Sequence, residues 1–153
     1  ALWSVRAIVL LTPKGAVLHR AVAKIATGEN PADNFWRSGN MLGAVDLATG
    51  SLGRVVSGTS AAMAVNPVHP GTGRIVVGTP ISDWSQIKSL VTAAAQVLQG
   101  IRTQSWDVAV TDRGPVLLEV NFGGDLNLAQ LAHGAGALDE TYTRHLRHCG
   151  YRI

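Results

Sequence analysis

Cysteine and lysine are scarce in this sequence, and both shortages restrict what the protein can be. The single cysteine, Cys149, excludes an internal disulfide and is typical of a reducing compartment, which favours the cytoplasm. Lysine occurs only at Lys14, Lys24 and Lys88, so the net charge of +3 comes mostly from arginine. Because the planar guanidinium of arginine matches carboxylate and phosphate, this composition weakly favours an anionic ligand.

Long apolar runs and clusters of basic residues are missing as well. No stretch approaches the roughly 20 apolar residues of a membrane helix, so we expect no membrane insertion. A nucleic-acid surface would gather Lys and Arg on one face, whereas here they are scattered, so we expect no nucleic-acid partner. The glycines of Gly71-Thr72-Gly73 are not followed by the Lys-Ser/Thr pair of a phosphate loop.

The composition is that of a folded chain, with 153 residues of which 46% are apolar and 15% charged, enough for one domain or a large part of one. Valine-rich segments around short turns predict β-hairpins, and apolar residues at spacings of three and four predict a long helix. The hairpins turn at residues 13–15, 48–50 and 112–115, the long helix is capped by Asp83 with Gln86 and stops at Gly100, and closing helices cover residues 125–133 and 139–148. The predicted fold class is α+β, an antiparallel sheet of hairpins packed with helices.

The clearest chemical signal is the segment WDVAVTDRGPVLLEVN, residues 106–121. Glu119 and Asn121 are two residues apart and therefore share one face of a strand, and the turn brings Asp107 of the partner strand to their side. Two carboxylates and an amide oxygen are hard ligands that suit Mg²⁺, which takes its remaining ligands from water and phosphate. The spacing by itself is more typical of the solvated face of an outer strand than of a metal site, and both interpretations stay open.

Other polar residues fall in the second strand, a long loop and the last helix. Alternation places Arg20, Val22 and Lys24 on one face of the second strand, and Val17, His19, Ala21, Ala23 and Ile25 on the other. Residues 28–43 have the composition of a loop, which at that length is uncommon in a compact domain without a function. His145, His148 and Cys149 lack a clear fourth partner, so a solvated helix face is favoured over a zinc site.

The run WDVAVTDRGPVLLEVNFGGDLN, an Asp followed twelve residues later by Glu-x-Asn and a glycine-rich turn, resembles the metal-binding end of the ATP-grasp superfamily. SVRAIVLLTPKG, AKIATGENPADNFWRSG, VDLATGSLG and HPGTG resemble the ATP-grasp domains associated with sugar transfer and polysaccharide biosynthesis. The resemblance runs from about Ser4 to Leu131, and the Asp…Glu-x-Asn hairpin is its most specific part.

The resemblance implies that residues 1–153 are the C-terminal part of an ATP-grasp domain, without its N-terminal nucleotide-grasping part. We therefore expect a fragment that binds ATP weakly or not at all when alone. The implied function is that of a Mg²⁺-dependent ligase that joins a carboxylate to an amine or similar nucleophile through an acyl phosphate. The expected partners are ATP and a small carboxylate or sugar-linked substrate, in polysaccharide or cell-envelope biosynthesis. A non-catalytic, degenerate ATP-grasp lobe used for binding or assembly is the alternative, and self-association through an exposed sheet edge stays open.

The resemblance also assigns roles to individual residues. Asp107, Glu119 and Asn121 would hold Mg²⁺ at the ATP phosphates, with Asn121 and Asn34 on the cofactor-binding and substrate side. Arg6 and Lys24 would be catalytic, contacting phosphate or the acyl intermediate. Two departures leave the acceptor chemistry open. Ser105 stands where some ATP-grasp ligases place an Arg, and Ser38-Gly39-Asn40 replaces the glycine pair of the substrate loop.

Overall fold

A computed structural model describes residues 3–28, 30, 33–58 and 62–153 of the chain. Positions 29, 31 and 32 of the predicted long loop lie outside the described residues. Within the described parts the chain forms the strands β1 Trp3–Thr12, β2 Gly15–Ile25, β3 Met41–Val45, β4 Leu52–Ser57, β5 Ala64–Val65, β6 Thr103–Thr111 and β7 Gly114–Phe122. The helices are α1 Trp84–Val97, α2 Leu126–His133 and α3 Glu140–His148.

The strands form one sheet in the order β5-β4-β3-β2-β1-β6-β7, and each neighbouring pair is antiparallel. The tight turns at residues 13–14, 46–50 and 112–113 join strands that neighbour each other, as hairpin geometry requires. The predicted α+β class with an antiparallel sheet of hairpins is therefore confirmed.

Helices cover the sheet from both sides. On what we call the α1 face, buried residues of α1 pack on the apolar residues of the central strands, which include Val5, Ala7, Val9, Ala21, Ala23, Ile25 and Trp106. On the opposite face, the α2 face, α2 and Tyr142 of α3 pack on Ile8, Leu10, Val22, Leu42, Ala44 and Val56. This second core covers only part of the α2 face, because the strand ends next to it carry polar side chains instead.

The ends of α1 differ from the sequence prediction. Asp83 lies in the left-handed region at φ 55° and makes no side-chain cap to the helix backbone, so the predicted capping box is wrong. Its carboxylate accepts from the Gln86 side chain at 3.0 Å instead. The helix ends at Val97, before Gly100, where buried Gln104 donates to the carbonyls of Ala95, Leu98 and Ile101.

The two closing helices agree with their predicted starts. Asp125 and Asp139 are the N-cap residues of α2 and α3, and their carboxylates accept from the backbone N–H groups of Asn127 and Tyr142. Among the described residues, no helix has both the length and the apolarity needed to cross a bilayer.

Candidate active site

Two β-bulges decide which side chains share the polar part of the α2 face. In the β1–β2 hairpin Val9 pairs with Leu18 but Ile8 pairs with Arg20, so His19 is the extra residue. This shift places Lys24 opposite Ser4, on the face that Arg6 also occupies. Without the extra residue, strand alternation would turn Lys24 toward the α1 face.

The second bulge does the same for the Glu-x-Asn pair. Val108 pairs with Leu117 while Asp107 pairs with Glu119, so Leu118 is the extra residue of β7. Glu119 therefore lies directly across from Asp107, and Asn121 lies across from Ser105 on the same face. In an unbulged hairpin Glu119 would face Trp106 and the apolar core under α1.

Asp107 is the centre of a buried ion-pair network. Its side chain is 4% exposed and accepts from Arg6 twice, Nε to Oδ1 at 2.7 Å and Nη2 to Oδ2 at 2.8 Å. The Nζ of Lys24, whose side chain is 9% exposed, donates to Oδ2 at 2.9 Å. Such charge-assisted bonds, one pair of them bidentate, fix all three side chains relative to one another.

Two further aspartates join this network, and the sequence predictions did not single them out as site residues. Asp33 lies 3.5 Å from the Lys24 ammonium and accepts a hydrogen bond from the Ser4 hydroxyl. Asp125 accepts from Arg6 Nη1 at 3.1 Å through one oxygen while its other oxygen caps α2. The signal for Asp125 was visible as a helix cap, but its contact with β1 depends on how α2 packs. We call Arg6, Lys24, Asp33, Asp107 and Asp125 the charge cluster.

The electrostatics favour the charged forms of Asp107 and Arg6. Burial by itself would raise the pKa of Asp107, but the hydrogen bonds and charges of Arg6 and Lys24 outweigh it, so the pKa lies below its ordinary value. The hydrogen bond to Asp107 likewise raises the pKa of Arg6, against the opposing effect of burial. Both groups therefore stay ionised over the whole physiological range.

The oxygen donors at this site suit a hard divalent cation. Glu119 is exposed, and the Asn121 amide donates to its Oε1 at 3.3 Å, which leaves the amide oxygen of Asn121 available. Within the described residues no group of three or more His, Cys, Asp or Glu side chains is placed to hold a metal. Two carboxylates and an amide fit Mg²⁺, which commonly takes one or two protein carboxylates and keeps several waters. Because Asp107 is already paired with two cations, Glu119 and Asn121 are the accessible donors.

Asn34 lies outside the charge cluster. Its side-chain oxygen accepts from the backbone N–H of Trp36, and its carbonyl accepts from buried Asn40. The side-chain oxygen of Asn40 also accepts from the backbone N–H of Thr27 at 3.0 Å, just beyond the end of β2. These contacts make Asn34 a turn residue of the loop that presents Asp33, and its role toward a ligand stays a prediction.

The fold is of the α+β class and is consistent with an ATP-grasp-type domain. A family model described as sugar-transfer associated ATP-grasp matches residues 1–145. The chain therefore belongs to this family, as its motifs predicted. ATP-grasp domains generally bind nucleotide, with ATP and Mg²⁺ as the usual pair. Neither a search of the curated proteins nor a search of the solved structures finds a significant match.

Proposed function

We propose that this chain is the metal-binding lobe of an ATP- and Mg²⁺-dependent ligase, which joins a carboxylate to an amine or similar nucleophile in polysaccharide or cell-envelope biosynthesis. The observation that carries the proposal is the placement of Asp107 and Glu119 as direct cross-strand partners beside Arg6 and Lys24. The lone cysteine, Cys149, is free, which agrees with the cytoplasm as the proposed location.

In the proposed reaction the substrate carboxylate attacks the γ-phosphorus, and the bond to the bridging oxygen breaks so that ADP leaves. The nucleophile then attacks the acyl carbon, phosphate leaves, and the nucleophile loses a proton. Bound Mg²⁺ would polarise the γ-phosphoryl group and offset charge that develops on it. Glu119 and Asn121 would hold the ion, with Asp107 completing the set.

The two cationic side chains have distinct geometries for this chemistry. The guanidinium of Arg6 lies between Asp107 and Asp125, and the two ion pairs hold it in place on the α2 face. In this arrangement Arg6 would supply the positive charge that some ATP-grasp ligases obtain from an Arg at the position of Ser105. Lys24 lies between Asp107 and Asp33 and would turn from these carboxylates to a phosphate oxygen.

The net charge of the site explains why ATP would enter together with its metal. The charge cluster has two cations and three carboxylates, and Glu119 adds a fourth carboxylate, for a formal charge of −2. Free ATP, with its own negative charges, would be repelled, whereas one Mg²⁺ ion would neutralise the site.

We further propose that the sheet supplies one wall of the nucleotide site and that a second lobe closes over it, as in ATP-grasp domains. The test is a titration of the natural protein that contains this chain with MgATP, and with ATP in the presence of EDTA. We expect binding in the first case only. Replacing Glu119 by Gln should lower the affinity for MgATP about tenfold or more, because an accessible ligand of the ion is lost.

Glu140→Gln is the matched control, since Glu140 is also exposed and, among the described residues, its ion pair is a surface pair with Arg144. Equal MgATP affinity of the two variants would refute the metal assignment. The non-catalytic alternative is favoured by the engagement of Asp107 with both cations and by Ser105. Release of ADP that requires both Mg²⁺ and an added carboxylate would exclude it.

A further inference from the structure

A cleft of about 590 Å³ opens at the end of the sheet where β1 begins and β2 ends. Its wall includes Trp3, Ala26 and Gly28 from the strand ends, and His69, Arg74 and Ile75 from the loop that carries HPGTG. The volume lies within the range of clefts that take small organic molecules. No residue of the charge cluster lines it.

The loop that carries His69 is built as a tight, internally bonded hairpin. His69 N–H donates to the Arg74 carbonyl at 2.9 Å, and the N–H groups of Thr72 and Gly73 donate to the His69 carbonyl. The Nδ1 atom of the His69 ring accepts from the backbone N–H of Gly71 at 3.2 Å. A ring that accepts at Nδ1 carries its hydrogen on Nε2, so Nε2 is the atom available to donate.

Arg74 adds a charge to this wall. Its side chain is exposed, and within the described residues it takes part in no ion pair or side-chain hydrogen bond. An Arg fork and a ring N–H next to an aromatic wall are the groups that bind an organic anion, with the fork on its acidic group. Trp3 and exposed Ile75 supply apolar surface for the rest of such a molecule.

We propose that this cleft binds a small organic anion, with its carboxylate or phosphate on Arg74 and His69 Nε2 and its ring or chain against Trp3. Its assignment as the subsite for the body of the ligase substrate rests on the proposed function. The cleft lies beside the α1-face core, with which Trp3 packs, and the charge cluster lies on the α2 face, so the two are connected around the end of the sheet. Trp3 precedes Ser4, whose hydroxyl contacts Asp33, and Ala26 follows Lys24 by two residues. A substrate that reaches over the sheet end would bring a second acidic group toward Lys24.

The proposal is tested by titrating the protein with D-glucuronate, D-glucose 6-phosphate and D-glucose, without ATP or Mg²⁺. Binding is followed by the NMR shifts of the backbone amides of Gly71, Thr72 and Arg74. We expect one or both anions to shift these amides and to bind at least tenfold more tightly than glucose. The two anions separate a carboxylate-specific from a phosphate-specific site.

Variants of the two polar residues locate the anion. Arg74→Gln should weaken anion binding about tenfold or more, whereas Arg152→Gln removes an equally exposed charge and should leave it unchanged. His69→Asn should weaken it less, because the Asn oxygen replaces Nδ1 as acceptor for Gly71 and only the Nε2 donor is lost. Retained shifts of the loop amides in the ligand-free variant show that the hairpin is intact.

Absence of loop shifts with either anion, equal affinity for glucose, or equal weakening by Arg74→Gln and Arg152→Gln would overturn the proposal. The titration contains no nucleotide or metal, so its outcome is independent of the MgATP experiment on Glu119. If the protein binds the anion but not MgATP, the proposed catalytic site is refuted and the cleft is not. If it binds MgATP but not the anion, the cleft is refuted and the catalytic site is not.

Discussion

Replacing Asp107 by Asn should destabilise the protein strongly, although the two side chains have nearly the same shape. The Asp107 carboxylate, with only 3% of the residue exposed, accepts three charge-assisted hydrogen bonds at 2.7 to 2.9 Å. Asn leaves Arg6 and Lys24 buried without their shared anion. Removing one partner of a buried ion pair typically costs about 3–5 kcal/mol of unfolding free energy.

Urea unfolding followed by tryptophan fluorescence measures this loss. With a slope of about 2 kcal/mol per M, the midpoint should fall by roughly 2 M. Asp112→Asn, in the exposed turn between β6 and β7, is the control and should change the free energy by less than about 0.5 kcal/mol. A loss below about 1 kcal/mol for Asp107→Asn, or any gain, would show that the charge cluster is not desolvated as the distances indicate.

The pH dependence gives an independent check on the same carboxylate. Because its pKa is lower in the folded protein than in the unfolded chain, the unfolded state binds more protons at acid pH. The stabilisation is fully present above about pH 4, the ordinary range of an Asp, and is lost as pH falls through the folded pKa. The difference in stability between wild type and Asp107→Asn should therefore shrink toward low pH, and a constant difference would contradict the ion-pair assignment.

Two further predictions concern packing and helix α3. Gly50→Ala should destabilise by more than about 2 kcal/mol in thermal or urea unfolding, because its Cβ would lie 2.4 Å from the Trp84 ring at φ +77°. Gly78→Ala, at φ +82° with open space around it, carries the backbone strain alone and should cost about 1 kcal/mol; equal losses would refute the clash. Burial lowers the pKa of His145, so the folded protein takes up this proton at a lower pH than the unfolded chain does. Unfolding free energy should therefore fall as pH drops below about 6.5, and the fall should be smaller in His145→Gln.

Much of the fold follows from local patterns in the sequence. Valine-rich strands around short turns, the apolar stripe of α1 and the aspartates before α2 and α3 all predict elements that the structure contains. The end of α1 did not follow from such signals. The buried side chain of Gln104, at the start of β6, donates to its last carbonyls, whereas the prediction relied on Gly100.

The candidate site likewise contains residues that the sequence indicates and residues that only the structure identifies. The identities of Asp107, Glu119 and Asn121 stand out in the sequence because polar residues interrupt apolar strands, and the family resemblance adds Arg6 and Lys24. Asp33 and Asp125 entered the charge cluster only through contacts between distant segments. No spacing rule relates a loop or a helix cap to a strand elsewhere in the chain.

The sequence by itself determined which elements form, their class and their family, since these depend on periodicity, turn chemistry and motif spacing. The sequence also predicted Asp107, Glu119 and Asn121 on one side of a hairpin, but only the tertiary structure decided where each strand reverses its faces and which further polar residues join them. The predicted alternation in β2 placed His19 with Ala21 and Ala23, but the bulge turns His19 to Tyr142 on the α2 face. An extra residue at Leu118 similarly turns Glu119 to Asp107. Side chains alternate with a period of two, so one extra residue reverses a whole strand end, and where it falls depends on how both faces of the sheet are packed.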